Sequence, residues 1–182
     1  MKTWIALLRG INVGGRQIVP MKTLVTELEA LGLTDIRTYI QSGNIIFRES
    51  KRTAAVLATE IGSAVETRFG FKPHVVVLSH KDFSSAATNN PFHEVETDEN
   101  GKSLHLFFLD KIPLSFNQDR LEALRRPSEC WHLEKHVFYL YTPEGFGKSK
   151  LALQVEKILG VSTTARNWRT VCALLDLAAL TL

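Results

Sequence analysis

The order in which helical and strand periods alternate most restricts how this chain can fold. Met21, Leu24, Val25, Leu28 and Leu31 recur at helical spacing over 21–31, and Ala54, Leu57, Ile61, Ala64 and Val65 do so over 54–69. Short apolar runs at 2–8, 36–40, 45–48 and 73–78 read as strands around these helices, and the continuous valines of the last suggest a buried strand. Pro20 suits the first turn of the first helix, while Gly32 and Gly70 stop the two helices. Ser42-Gly43-Asn44 is the turn of a hairpin between the middle strands. The order βαββαβ predicts an antiparallel sheet with both helices on one face, the split βαβ or ferredoxin-like pattern.

A short helix is expected at 81–87, with Ser79 as its cap. The stretch 89–102, NNPFHEVETDENGK, has no apolar period and is rich in turn residues, so a linker is placed at 91–102. Beyond it, strands are expected at 104–109, 130–134, 136–141 and 161–164, and helices at 117–125 and 148–159. This is βαββαβ again, without a clean repeat of residues. A last helix over 168–180 carries Trp168, Val171, Cys172, Leu175, Ala178 and Ala179 at helical spacing. The expected fold class is therefore α+β: two ferredoxin-like halves, 1–90 and 103–182, with mainly antiparallel sheets and a C-terminal helix counted with the second half.

The 182 residues are 45% apolar and 23% charged, enough for one large domain or two small ones. A net charge of +3, from scattered Lys and Arg, lacks the density of a dedicated nucleic-acid arm. The two cysteines, Cys130 and Cys172, lie in apolar surroundings and are expected to be buried free thiols of a reducing compartment. The opening apolar run is too short for a signal peptide or a membrane span, so a cytoplasmic protein with no membrane partner is expected.

Polar chemistry gathers in a few motifs. The first apolar strand stops at Arg9 and opens into a loop bearing Gly10, Gly14 and Gly15. Such a loop can present backbone N–H groups to an anion, with Arg9 and Arg16 supplying charge. It does not match G-x-G-x-x-G; the bland alternative is a turn whose glycines take positive φ. QSGN at 41–44 and TTARNWR at 163–169 read either as turn and cap chemistry or as further walls of one site. GFGKSK at 145–150 fails as a phosphate loop because Thr142 stands where a glycine is needed. Cys130, His132 and His136 are the closest metal-like cluster and lack a fourth ligand. No metal and no cofactor is expected. RNA binding on a sheet face would use Trp4 and Phe47 as stacking rings, though both suit a core better.

Taken together, RGINVGG (9–15), YIQSGNIIF (39–47), TPEGFGKSKL (142–151) and TTARNWRTV (163–171) resemble domain-of-unknown-function family 1697. The resemblance implies a two-part α+β fold in uncharacterised bacterial cytoplasmic proteins, and supplies no catalytic residue. The leading expectation is binding of a small phosphorylated or nucleotide-like anion by Arg9, Asn12, Gly14, Gly15, Arg16, Ser42, Asn44, Arg166 and Asn167. Alternatives are an RNA-binding module and a protein–protein interaction module. Whether a reaction is catalysed, and the oligomeric state, are left open by the sequence.

Overall fold

The computed structural model describes residues 1–92 and 101–181, so most of the expected linker lies outside the described residues. The chain forms two compact units, Met1–Ala87 with Cys172–Leu182, and Thr88–Val171.

In the first unit the elements run β1 (Lys2–Arg9), α1 (Met21–Ala30), β2 (Thr34–Tyr39), β3 (Asn44–Glu49), α2 (Ala54–Phe69), β4 (His74–Ser79) and α3 (His80–Thr88). The sheet order is β2-β3-β1-β4, with antiparallel neighbours throughout. Alternation along β1 sends Trp4, Ala6 and Leu8 to one face, where they pack with Ile45, Phe47, Val75 and Val77 under Leu24, Leu28, Leu57, Ile61 and Val65 of the helices. Ile5 and Leu7, on the other face, are also buried, so the middle of the sheet has no wet side. Local chemistry sets the helix ends. The Thr53 side chain accepts from Val56 N, Gly70 closes α2 in the left-handed region, and Ser79 Oγ accepts from Asp82 N at 3.1 Å.

The second unit holds β5 (Leu104–Leu109), α4 (Gln118–Leu124), β6 (Cys130–Glu134), β7 (Val137–Tyr141), α5 (Val155–Leu159) and β8 (Thr163–Asn167), and the start of α6 (Trp168–Ala179). Its order, β6-β7-β5-β8, is the same permutation as in the first unit. Phe107, Leu109, Phe138 and Leu140 pack against Leu121, Leu151, Val155 and Leu159.

The structure corrects the sequence expectations in four places. The helix expected over 148–159 is reduced to Val155–Leu159. Ser149 is extended, and its buried Oγ accepts from Ala152 N at 3.0 Å, so the chain passes through turns before the helix begins. The last strand runs to Asn167 rather than 164, because each of its residues finds a partner on β5. Cys172–Leu182 groups with the first unit, although sequence order alone puts the whole terminal helix with the second. A helix rises about 1.5 Å per residue, so the later turns of α6 lie far from its start. Cys130 is exposed rather than buried. It lies on edge strand β6, where Trp131 and Leu133 take the inward positions against the core.

Candidate functional site

The glycine loop is a small hairpin. Asn12 N donates to Gln17 O at 3.1 Å, and Arg16 N donates to Val13 O at 3.0 Å across an antiparallel bridge. Between them Gly14 and Gly15 both have positive φ, 58° and 71°. Left-handed backbone at both central residues is the signature of a type I′ turn. An added Cβ at either glycine would meet nothing within 4 Å, so the tip stands open.

The Asn12 side chain hitches this hairpin to the neighbouring turn. Its Nδ2 donates to Val19 O and Gln41 O, both at 2.9 Å, and its Oδ1 accepts from Val19 N at 2.8 Å. The QSGN turn docks on the end of β1 in a second way. Leu8 N donates to Gly43 O at 2.8 Å, and a Cβ on Gly43 would lie 2.8 Å from Leu8 Cβ. With φ at +72° as well, glycine alone fits there. Asn44 is fully buried, donating to Tyr39 O at 3.3 Å and to Ser42 Oγ at 2.8 Å. These contacts bring Asn12, Gly14, Gly15, Arg16, Ser42 and Asn44 to the end of the first unit where Arg9 closes β1. Arg9 and Arg16 are exposed, and Arg9 stands opposite His74 on β4.

Arg166 and Asn167 belong to the second unit. Arg166 sits half-buried on β8 and donates to Ala165 O at 2.9 Å; burial holds its guanidinium down at about 10. Asn167 Oδ1 accepts from Thr170 N at 2.9 Å and so caps α6. In the same motif, Thr163 donates through its backbone N and its hydroxyl to Glu156 Oε2, at 3.0 and 3.3 Å.

Sequence reasoning missed an apolar feature of the first unit. Val13, Ile18 and Ile40 are 64%, 58% and 56% exposed, and each is next in sequence to a residue held in the Asn12 hydrogen-bond network. Ile40 is also left-handed, with φ at +48°. A short apolar residue inside a polar turn is the only signal the sequence carries for it. Conversely, Trp4 and Phe47, the two rings named for RNA stacking, lie in the helix-packed core. The GFGKSK stretch makes only a short 3-10 turn, Phe146–Lys148, after a strand paired antiparallel on both sides. Among the described residues no cluster of His, Cys, Asp or Glu is suited to a metal, and no helix is long and apolar enough to cross a membrane.

Two units with one strand permutation, each an antiparallel sheet with helices, define the class: an α+β protein of two ferredoxin-like halves. The chain belongs to the family described as "Protein of unknown function (DUF1697)", whose profile matches residues 1–139. Its fold is similar to that of a conserved bacterial protein, SP0830 from Streptococcus pneumoniae. That structure has a TM-score of 0.70 and 26% identity, over 97% of this chain and 98% of the other. No curated protein matches the chain.

Proposed function

We propose that the hairpin end of the first unit docks a partner protein, recognising an acidic segment that carries an aliphatic side chain. The observation that carries this reading is Ile40. A β-branched residue in the left-handed region costs about 1–2 kcal/mol, and an exposed side chain recovers none of it through core packing. Strain held at an exposed aliphatic residue is what a recognition surface retains. Val13 and Ile18 extend the apolar area, and the exposed Arg9 and Arg16 add donors suited to carboxylates. A second reading, a small phosphorylated or nucleotide-like anion held by Arg9 and Arg16, draws support from the open space at Gly14 and Gly15, where a ligand can approach the backbone.

The test is selection of a random-peptide display library on the purified full chain, then calorimetric titration of the selected peptide. Acidic peptides with an aliphatic anchor should emerge. Ile40→Asn, which tolerates the left-handed backbone, should raise the melting temperature and weaken peptide binding by about tenfold or more. Arg16→Glu should abolish binding. A selection without acidic peptides, or affinities unchanged in both variants, overturns the docking reading. A melting temperature raised by ADP or pyrophosphate alone, and returned to baseline by Arg16→Glu, replaces it with the second.

A further inference from the structure

Away from the hairpin, edge strand β2 carries an irregularity that changes which side chains share a face. Thr34 pairs with Arg48 and Arg37 pairs with Ile46, so Asp35 and Ile36 together stand opposite Phe47 alone. This is a β-bulge, and Asp35 within it is left-handed, with φ at +51°. In a regular strand residues three apart point to opposite faces. The bulge cancels that alternation and puts Arg37 on the face of its partner Ile46, which is also the face of Arg48. Diagonal neighbours on one face of a sheet lie within reach of long side chains. The helix-packed residues Ile45 and Phe47 occupy the opposite face.

These residues line a cleft of about 430 Å³, floored by Asp35, Ile36, Arg37 and Arg48 and bounded by Leu180 and Thr181 from the end of the chain. The volume suits a small metabolite. Its charge is not balanced. Among the described lining residues the one carboxylate, Asp35, stands 3.8 Å from Arg48 Nη1 and is itself more than half exposed, which makes a weak pair. Arg48 Nε is buried and has no acceptor among the described residues. Arg37 is exposed at the rim and contributes a second guanidinium. Two like charges on one face, offset among the described residues by one loose carboxylate, favour an anion between them.

We infer that this cleft binds the phosphoryl group of a small phosphomonoester, through Arg48 at its base and Arg37 at its rim. A tetrahedral oxyanion offers acceptors in several directions, so one group can accept from the Arg48 and Arg37 guanidiniums at once. A planar carboxylate directs both oxygens into one fork. The volume beyond the phosphoryl group leaves room for an organic portion beside Ile36 and Leu180.

The experiment uses the full chain and phenyl phosphate, with inorganic phosphate and malonate as separate arms at matched ionic strength. Binding is followed by calorimetry and by the ³¹P line width. Saturable binding of phenyl phosphate is expected, with inorganic phosphate weaker and malonate weaker still. Arg37→Ala removes an exposed side chain and should leave the fold intact while lowering affinity at least about tenfold. Arg48→Lys keeps the charge but loses the planar fork, and should lower affinity by a comparable factor. No saturable binding to the wild-type chain, or equal affinity in Arg37→Ala, overturns the inference. Malonate equal to phenyl phosphate overturns the phosphoryl assignment. Arg16→Glu, at the hairpin, should leave phenyl phosphate binding here unchanged, which separates this site from the docking surface.

Discussion

The two units share one strand order but cover their sheets differently. In the first, helices of 10 and 16 residues lie over an aliphatic layer in which Trp4 and Phe47 are the fully or nearly buried rings. In the second, helices of 7 and 5 residues cover the same permutation of strands. Rings do the filling there. Trp131 stacks on Phe138 with centroids 5.6 Å apart, and Phe107 meets Phe138 edge-on at 5.8 Å. Each large ring buries roughly 150–250 Å², so a few of them replace several turns of aliphatic helix. The strand pattern thus sets the topology, while helix length is free to vary with side-chain volume. The turns differ too. In the first unit the Asn12 amide ties two turns together and Gly43 packs against Leu8, whereas Gly145, Gly147 and Gly160 of the second unit have no neighbour within 4 Å.

That difference breaks most visibly at the glycines. Gly43→Ala drives a Cβ to within 2.8 Å of Leu8 Cβ and 2.9 Å of its carbonyl oxygen, in left-handed backbone. Overpacking and backbone strain together should cost about 3 kcal/mol or more. Gly160→Ala, with φ at +65° but no neighbour within 4 Å, should cost only about 1 kcal/mol. Guanidinium denaturation of both variants measures this, and equal losses would show that the first-unit turn has slack.

A carboxylate sharpens the contrast next. Glu49 accepts from Lys51 N at 2.6 Å and Ser50 N at 2.7 Å and pairs with Arg52, which also reaches Glu60 and Leu31 O. The Lys51 amide foremost, with the Arg52 guanidinium, holds its carboxyl at about 2 instead of 4.5. A depressed folded-state value means stabilisation that is fully present above the unfolded value and lost as pH falls toward 2. Glu49→Gln should therefore be markedly less stable than wild type at pH 7. The gap should narrow steadily below about pH 4.5, as the unfolded chain takes up its proton. Thermal melts across that window decide the matter; a gap constant with pH would remove the charge from the explanation.

The smallest effect concerns the thiols. Cys130 is exposed on β6, while Cys172 is half-buried and its thiol is pushed up by burial and by Asp176. Iodoacetamide followed by mass spectrometry should label Cys130 first, and that modification should change stability by less than about 0.5 kcal/mol. Faster labelling of Cys172 would show that the α6 segment opens readily.

Much of this architecture is legible in the sequence because apolar runs and stop glycines are local signals. Gly32 and Gly70 end their helices, Ser79 caps its own, and the βαββαβ order follows from spacing alone. What escaped notice depends on backbone choices that residue type leaves open. The glycine loop after Arg9 reads in sequence as an anion-binding loop or as a long turn with positive-φ glycines, and its tight hairpin closure through Val13 and Arg16 is not legible there. The bulge at Asp35 and Ile36 carries no glycine to announce it. The buried Ser149 hydroxyl replaces two helical turns that periodicity alone requires. Of the polar motif residues, Asn12 is bonded to its own loop and the neighbouring turn, Asn44 to its own turn, and Asn167 caps a helix, while Arg16 is exposed.

The bulge in β2 has a further consequence for the molecule in a crowded solution. β2 is an edge of its sheet, and an edge strand presents a row of main-chain donors and acceptors to any extended segment that drifts past. Two residues standing opposite one interrupt the even spacing that an incoming strand would need. Asp35 and Arg37, on either side of the break, would have to shed water for the intruder to settle. The same irregularity that gathers two guanidiniums on one face thus blunts the edge against intermolecular sheet growth and aggregation.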